Sequence, residues 1–105
     1  MTAAVPTLAG SRDPGTGQVY VGPRRFAADG SLRPCEPVLV PARGTLYSWT
    51  VHRGTGYGLI DLDAPYDSVR IEVRLGDGPY EIGARYHGEA ESDEATITEV
   101  RFCRD

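Results

Sequence analysis

Two cysteines and two histidines are the side chains in this sequence best suited to nucleophilic or acid–base chemistry. Cys35 and Cys103 lie far apart in the chain, and the candidate bases are His52 and His87. The sequence contains neither a Gly-x-Ser-x-Gly nucleophile turn nor the His-Glu-x-x-His zinc motif. A cysteine–histidine pair could arise only if the folded chain happened to bring one together. We therefore predict no catalytic residue.

Two carboxylates, Asp61 and Asp63, share one side of a predicted strand with Tyr57. Paired carboxylates perform acid–base work when they sit close together and their pKa values separate. Side chains two positions apart on a strand are about 6–7 Å apart, and such groups are usually just solvated. We expect solvated carboxylates here rather than an acid–base pair.

Arginines beside turns are the candidate anion-binding residues. His52 and Arg53 precede a loop with two glycines, residues 54–56, whose backbone N–H groups could approach a phosphate. The alternative for this loop is a plain flexible hairpin. Arg24 and Arg25 form the only adjacent arginine pair in the sequence. Guanidinium groups suit phosphates, carboxylates or an acidic protein surface, whereas the alternative is a solvated turn.

Three apolar side chains recur at every second position of one predicted strand: Tyr47, Trp49 and Val51. Period-two spacing places all three on the same face. Aromatic residues on a strand either pack in a core or form an exposed stacking platform for nucleic-acid bases. Alternation with Val51 favours the core.

The composition describes one acidic domain. The 105 residues carry a net charge of −4, and all 11 basic residues are arginine. An arginine-only chain is typical of a GC-rich bacterial genome, while the acidic balance argues against general nucleic-acid binding. The N-terminus lacks a charged start and a long apolar run, so we expect a cytoplasmic protein with reduced cysteines and no membrane span.

The elements that must position these residues are strands. Helical periodicity is missing, and turn residues punctuate short apolar runs. Residues 1–41 are turn-rich, with short strands at 18–21 and 38–40. Residues 42–105 predict five strands, at 44–52, 57–62, 69–75, 82–87 and 95–103. We predict an all-β fold in which a five-stranded OB-fold barrel follows a small ribbon-like N-terminal β segment.

Four segments, in order, resemble an acyl-CoA-associated OB-fold family known as domain-of-unknown-function family 35. The run RGTLYSWTVH at residues 43–52 resembles that family's first barrel strand. The second and third strands are matched by residues 57–63 and 69–75, and the step into the fourth by residues 81–85. The resemblance covers most of the chain.

Members of that family usually carry a zinc ribbon before the barrel. Residues 17–24 resemble the ribbon strand, which in the family ends in an aromatic-Pro-Pro-Arg sequence. Ser11 and Pro14 stand where the first Cys-x-x-Cys knuckle should be, and Leu32 and Cys35 where the second should be. A structural zinc ion needs four ligands, and only Cys35 could serve. We expect a degenerate ribbon without zinc, held by packing alone.

The resemblance implies association with an enzyme rather than catalysis. Family members are accessory subunits of thiolases, ketosynthase-like acyltransferases and some acyl-CoA hydratases. By that resemblance the chain is a non-catalytic subunit of a hetero-oligomer, without a cofactor of its own. It is expected to stabilise the complex and to help its partner bind the acyl-CoA or acyl donor. Contacts with acyl-CoA or the partner fall to Arg24, Arg25, His52 and Arg53. The alternative is an OB-fold that binds single-stranded nucleic acid, which arginines clustered on the aromatic face would favour.

Overall fold

A computed structural model describes residues 5–22, 30 and 32–105. All regular elements in these residues are strands, as the sequence predicts. The described part of the chain contains no helix with the length and apolar character needed to cross a bilayer.

The N-terminal sheet is built on a strand that the sequence did not predict, β1 (Thr7–Arg12). It pairs antiparallel with β2 (Val19–Val21) on one side and with β3 (Glu36–Pro41) on the other. A two-residue strand from far along the chain, β8 (Glu94–Ala95), adds in parallel to the start of β1. Sequence-distant segments therefore meet in this sheet.

Five strands close into a barrel: β4 (Arg43–His52), β5 (Thr55–Leu62), β6 (Arg70–Leu75), β7 (Arg85–Glu89) and β9 (Arg101–Arg104). Their order around the barrel is β4-β5-β6-β9-β7, and β7 pairs back onto β4. All pairs are antiparallel except β6–β9. Numbered within the barrel this order is 1-2-3-5-4, the topology of an OB-fold. The predicted fold class is confirmed.

Alternating polarity along β6 determines which of its faces lines the barrel interior. Ile71, Val73 and Leu75 are buried inside it, while the residues between them are exposed. The interior is one apolar cluster that also takes in Leu8 and Val40 of the N-terminal sheet. The barrel and this sheet thus share a core.

The face predicted for Tyr47, Trp49 and Val51 is wrong. Residues 46 and 48 of β4 oppose consecutive residues of β5, so Tyr47 is the extra residue of a β-bulge. The bulge turns Tyr47 to a different side from the two residues that follow at period two. All three are exposed, by 50%, 44% and 52% respectively, because β4 continues past the barrel core.

Two other strand predictions are also corrected. The predicted strand 95–103 is split: its first residue belongs to β8, a turn follows at Thr96 to Glu99, and β9 begins only at Arg101. The predicted strand 82–87 begins at Arg85, since Ile82 lies exposed in the preceding turn.

Candidate functional site

The outside of β5 and β6 presents a dense group of aromatic and charged side chains. Ile60 is buried in the barrel, so its neighbours on β5 point outward, as do their partners across the β5–β6 ladder. Tyr47 lies on the same side, because its ring contacts Arg70. We call this set the outer face; it comprises Tyr47, Tyr57, Leu59, Asp61, Arg70, Glu72 and Arg74.

Arg70 is held in place at the centre of the outer face. Its guanidinium carbon lies 3.5 Å from the centre of the Tyr47 ring. Its Nε and Nη2 donate to the two carboxylate oxygens of Asp61, at 2.6 and 3.2 Å. The hydrogen bond to Asp61 raises the pKa of the Arg70 guanidinium above its usual value. Fixed tyrosine and arginine side chains are the groups most enriched at the centres of protein interfaces.

Grooves beside the outer face are shallow and open. Two of about 260 Å³ each meet at Tyr57 and Glu72, one reaching Trp49 and the other Ile97. A cavity that encloses a cofactor-sized molecule usually measures at least about 300 Å³. A wider groove of about 800 Å³ separates β2 from the start of β6 and is largely polar. The two grooves on the outer face suit side chains of a partner protein better than an enclosed cofactor.

His52 and Arg53 lie together at the exposed tip of the β4–β5 hairpin. Arg53 and Gly54 have φ angles of 51° and 79°, which identifies a two-residue type I′ turn. The glycine is therefore explained by the turn, which favours the plain hairpin over a phosphate cradle. Arg24 and Arg25, the other predicted contacts, lie outside the described residues.

The carboxylates Asp61 and Asp63 bind separate arginines and do not form a pair. Asp61 binds Arg70, whereas both oxygens of Asp63 accept hydrogen bonds from Arg85. The Arg85 contact lowers the pKa of Asp63. Each carboxylate is therefore paired with its own guanidinium group. Both carboxylates remain partly exposed to solvent, as expected, and each forms a surface ion pair.

A cysteine and a histidine do come together in the fold, which the sequence could not reveal. The β7–β9 register places His87 opposite Cys103. The His87 ring nitrogens bind carboxylates, however: Nδ1 lies 2.6 Å from Asp105 and Nε2 lies 3.2 Å from Glu89. Burial and the adjacent Glu89 raise the pKa of the Cys103 thiol. A thiol held protonated, beside an imidazole already engaged, is poorly suited to nucleophilic attack.

An ion pair joins the two loops where the ribbon knuckles were expected. Asp13 is 2% exposed and accepts hydrogen bonds from the Gly15 N–H and the Thr16 hydroxyl. Arg33, in the second loop, donates to its two oxygens at 3.2 and 2.8 Å. The contact with Arg33 holds the pKa of Asp13 far below its usual range. The expectation of packing alone is therefore wrong for this sheet.

The other ribbon positions show no ligand set. Ser11 is buried in β1 and Leu32 is 70% exposed, while both cysteines are free thiols. Within residues 5–22, 30 and 32–105, no group of three or more histidine, cysteine or acidic side chains could hold a metal ion.

Comparison with known proteins shows a likeness in the fold. No family model and no curated protein matches the sequence. The chain is similar to one from a solved structure described as "Ltp2-ChsH2(DUF35) aldolase", with a TM-score of 0.68 and 16% identity. The similarity covers 93% of this chain and 84% of that chain. At this identity the likeness concerns the fold, and the abbreviation DUF35 designates the family that the sequence segments resemble.

Proposed function

We propose that this chain is a non-catalytic accessory subunit of a thiolase-like or ketosynthase-like acyltransferase complex. The observation that carries the proposal is the fold likeness, which spans the N-terminal sheet and the barrel and involves a protein named as a DUF35 aldolase. Four ordered sequence segments resemble the same family. Because one fold serves many functions, the proposal also needs a surface on this chain that suits a partner protein.

The outer face is the surface we propose for the partner enzyme. Tyr47 is half exposed, and Arg70 is already fixed by Tyr47 and Asp61. A pre-positioned guanidinium group loses little conformational freedom when a partner covers it. The face also mixes both charge signs, which suits a protein surface of matching pattern better than a uniformly charged ligand.

The hairpin tip would contact the partner or the phosphates of its acyl-CoA. His52 and Arg53 are exposed there, and no acidic residue occurs between Glu36 and Asp61 in the sequence. We assign the chemistry of acyl transfer to the partner, since His87 and Cys103 are engaged with carboxylates. The chain then has no cofactor of its own.

Affinity capture from the native cells tests the proposal. We expect the tagged chain to recover a thiolase-fold or ketosynthase-fold protein in a near 1:1 ratio, identified by mass spectrometry and then reconstituted from purified components. The substitution Tyr47→Ala should lower recovery at least about tenfold, because it removes an interface side chain and the ring against which Arg70 packs.

Leu39→Ala is the matched control. Leu39 is 49% exposed, close to the 50% of Tyr47, but belongs to β3 of the N-terminal sheet. Recovery of no such enzyme would overturn the proposed function. Equal loss with both variants would leave the partner enzyme in place but contradict the outer face as its docking surface.

A second candidate is supported by one observation, namely that Arg70 and Arg74 lie on the face that carries Tyr47 and Tyr57. Aromatic rings next to arginines form the stacking platform of single-strand-binding OB-folds. Against this, Asp61 neutralises Arg70 and Glu72 lies between the two arginines. Titration of a fluorescent single-stranded oligonucleotide decides: salt-sensitive binding that Tyr47→Ala abolishes would favour nucleic acid.

A further inference from the structure

The second half of β4 is an open strand edge. Its partner on one side is β5, and on the other side β7 covers only Arg43 to Thr45. The backbone of Leu46 still bonds to Gly83 and Ala84. From there to the tip, no strand among the described residues pairs with residues 48–52 on that side. A long, exposed, apolar strand edge is a ready template for pairing with another chain.

The hairpin turn determines which backbone groups the edge offers. His52 and Thr55 flank the two-residue turn, so they form a hydrogen-bonded pair. Such pairs alternate along an antiparallel ladder, which makes Thr50 and Tyr57 the next one. The N–H and C=O groups of Trp49 and Val51 therefore point away from β5, toward the open edge.

Side chains along this edge divide into an apolar and a polar side. Trp49 and Val51 lie opposite Gly58 and Gly56, on the side where the Trp49 ring contacts Tyr80 with 5.2 Å between centroids. Alternation puts the three polar residues of the edge on the other side; these are Ser48, Thr50 and His52. Trp49 and Val51 remain about half exposed, so an added strand would bury them.

We propose that β4 pairs with β4 of a second copy of this chain, antiparallel and with the two-fold axis at Thr50. In this register Trp49 of each copy forms a hydrogen-bonded pair with Val51 of the other. The backbone N–H and C=O groups of Trp49 and Val51 are then all hydrogen-bonded across the interface. Two Trp–Val cross-strand contacts form on the apolar side. Thr50 lies opposite itself on the polar side. The result is a continuous four-stranded sheet in the order β5-β4-β4-β5.

The symmetry of the register favours a second copy as the occupant, and the charge along the edge does not oppose it. Each chain carries −4 and repels its like over most of its surface, but residues 37–60 contain no carboxylate. In the proposed register Arg53 lies opposite Tyr47 of the other copy, so the two Arg53 side chains stand at opposite ends of the paired strands. The edge is thus self-complementary, as an isologous two-fold interface requires. This pairing does not require the partner enzyme, and it would compete with that enzyme for Arg53 and Tyr47.

Cross-linking tests the register. In a Cys35→Ser, Cys103→Ser background, Thr50→Cys should form an intermolecular disulfide on mild oxidation. A non-hydrogen-bonded antiparallel pair places its Cα atoms about 4.5 Å apart, within disulfide range. His52→Cys is the matched control, because its counterpart would lie four residues along the strand, about 13 Å away. Equal cross-linking at both positions, or none at Thr50→Cys, contradicts the register.

Sedimentation equilibrium of the purified chain over roughly 1–200 µM tests the dimer itself. Val51→Pro removes an N–H that serves only the open edge and should weaken association at least about tenfold, while Val51→Thr, which keeps the N–H, should stay within about twofold. Val51→Lys, which keeps the backbone donor but adds charge to the apolar side, replaces the proline variant if that fails to fold. A protein that stays monomeric throughout overturns the proposal. If it is monomeric and Val51→Pro abolishes capture of a different protein, the edge belongs to that partner instead.

Discussion

In the barrel, the strands close around side chains that are almost all apolar, from Leu46 and Ile60 to Phe102. In the N-terminal sheet the buried positions include two polar residues, Ser11 and Asp13. Asp13 alone ties two loops together, since it accepts hydrogen bonds from its own turn and from Arg33 twenty residues later. The two regions share a core but differ in what fixes their loops.

The difference shows how a loop pair can be joined without a metal. Packing against Phe102 stabilises the barrel through many weak contacts. The Asp13–Arg33 pair stabilises its loops only when both side chains are present and correctly oriented. Gly15 is part of that geometry, because a Cβ there would collide with the Arg33 guanidinium group. The N-terminal sheet should therefore be the more sensitive region to single polar substitutions and to acid.

The largest effect should come from the barrel core. Phe102 is fully buried, and Phe102→Ala removes its ring and leaves a cavity, which we expect to lower the free energy of unfolding by about 3–5 kcal/mol. Urea denaturation followed by tryptophan fluorescence measures it. Leu39→Ala, at a half-exposed apolar position, should stay within about 0.5 kcal/mol. A small loss at Phe102 would mean that the barrel interior is loosely packed.

Sequence patterns were informative where side chains alternate and where no bulge intervenes. The clean alternation over residues 69–75 predicted β6 nearly to its ends, and Arg43–His52 was recognised as the first barrel strand. The prediction of one shared face for Tyr47, Trp49 and Val51 was wrong because the bulge at Tyr47 shifts the two-residue side-chain period by one residue. A bulge depends on the partner strand, so no local pattern marks it.

Tertiary pairing explains the remaining failures. β1, with the sequence TLAGSR, has too few large apolar residues to stand out, and it is stabilised by three partner strands. The Asp13–Arg33 pair and the His87–Cys103 juxtaposition join residues far apart in the chain. A signal for the first existed in Asp-Pro-Gly-Thr, a sequence that favours a turn in which aspartate caps backbone N–H groups.

Removing the ion pair should have the second-largest effect. Asp13→Ala deletes the acceptor for the Gly15 N–H, the Thr16 hydroxyl and Arg33, and we expect a fall in Tm of roughly 10 °C. Differential scanning calorimetry at pH 7 measures it. Glu36→Ala is the control, because Glu36 pairs with Arg12 while both side chains are about half exposed. Equal changes in Tm for the two variants would contradict a special role for the buried pair.

The smallest expected effect, and the one most specific to charge, is the change of folding stability with pH. The pKa of Asp13 is lowered in the folded state, so its ionised form stabilises the fold above the ordinary aspartate pKa. That stabilisation is lost as the pH falls from about 4 toward the folded-state value. Asp63, Glu89 and Glu99 also have lowered pKa values, so the barrel should lose some stability in acid too.

The substitution Asp13→Asn distinguishes the acid sensitivity of the N-terminal sheet from that of the barrel. Asparagine keeps the shape and one acceptor oxygen but cannot ionise, so the variant should be less stable than the native protein at pH 7. The difference in Tm between the two proteins should shrink by roughly a third at pH 3, where the native Asp13 has lost part of its advantage. Asp63→Asn, whose partner Arg85 is half exposed, should show a smaller pH-dependent difference because water screens that pair. A constant difference for Asp13→Asn from pH 7 to pH 3 would mean that the carboxylate acts through shape and hydrogen bonds rather than through its charge.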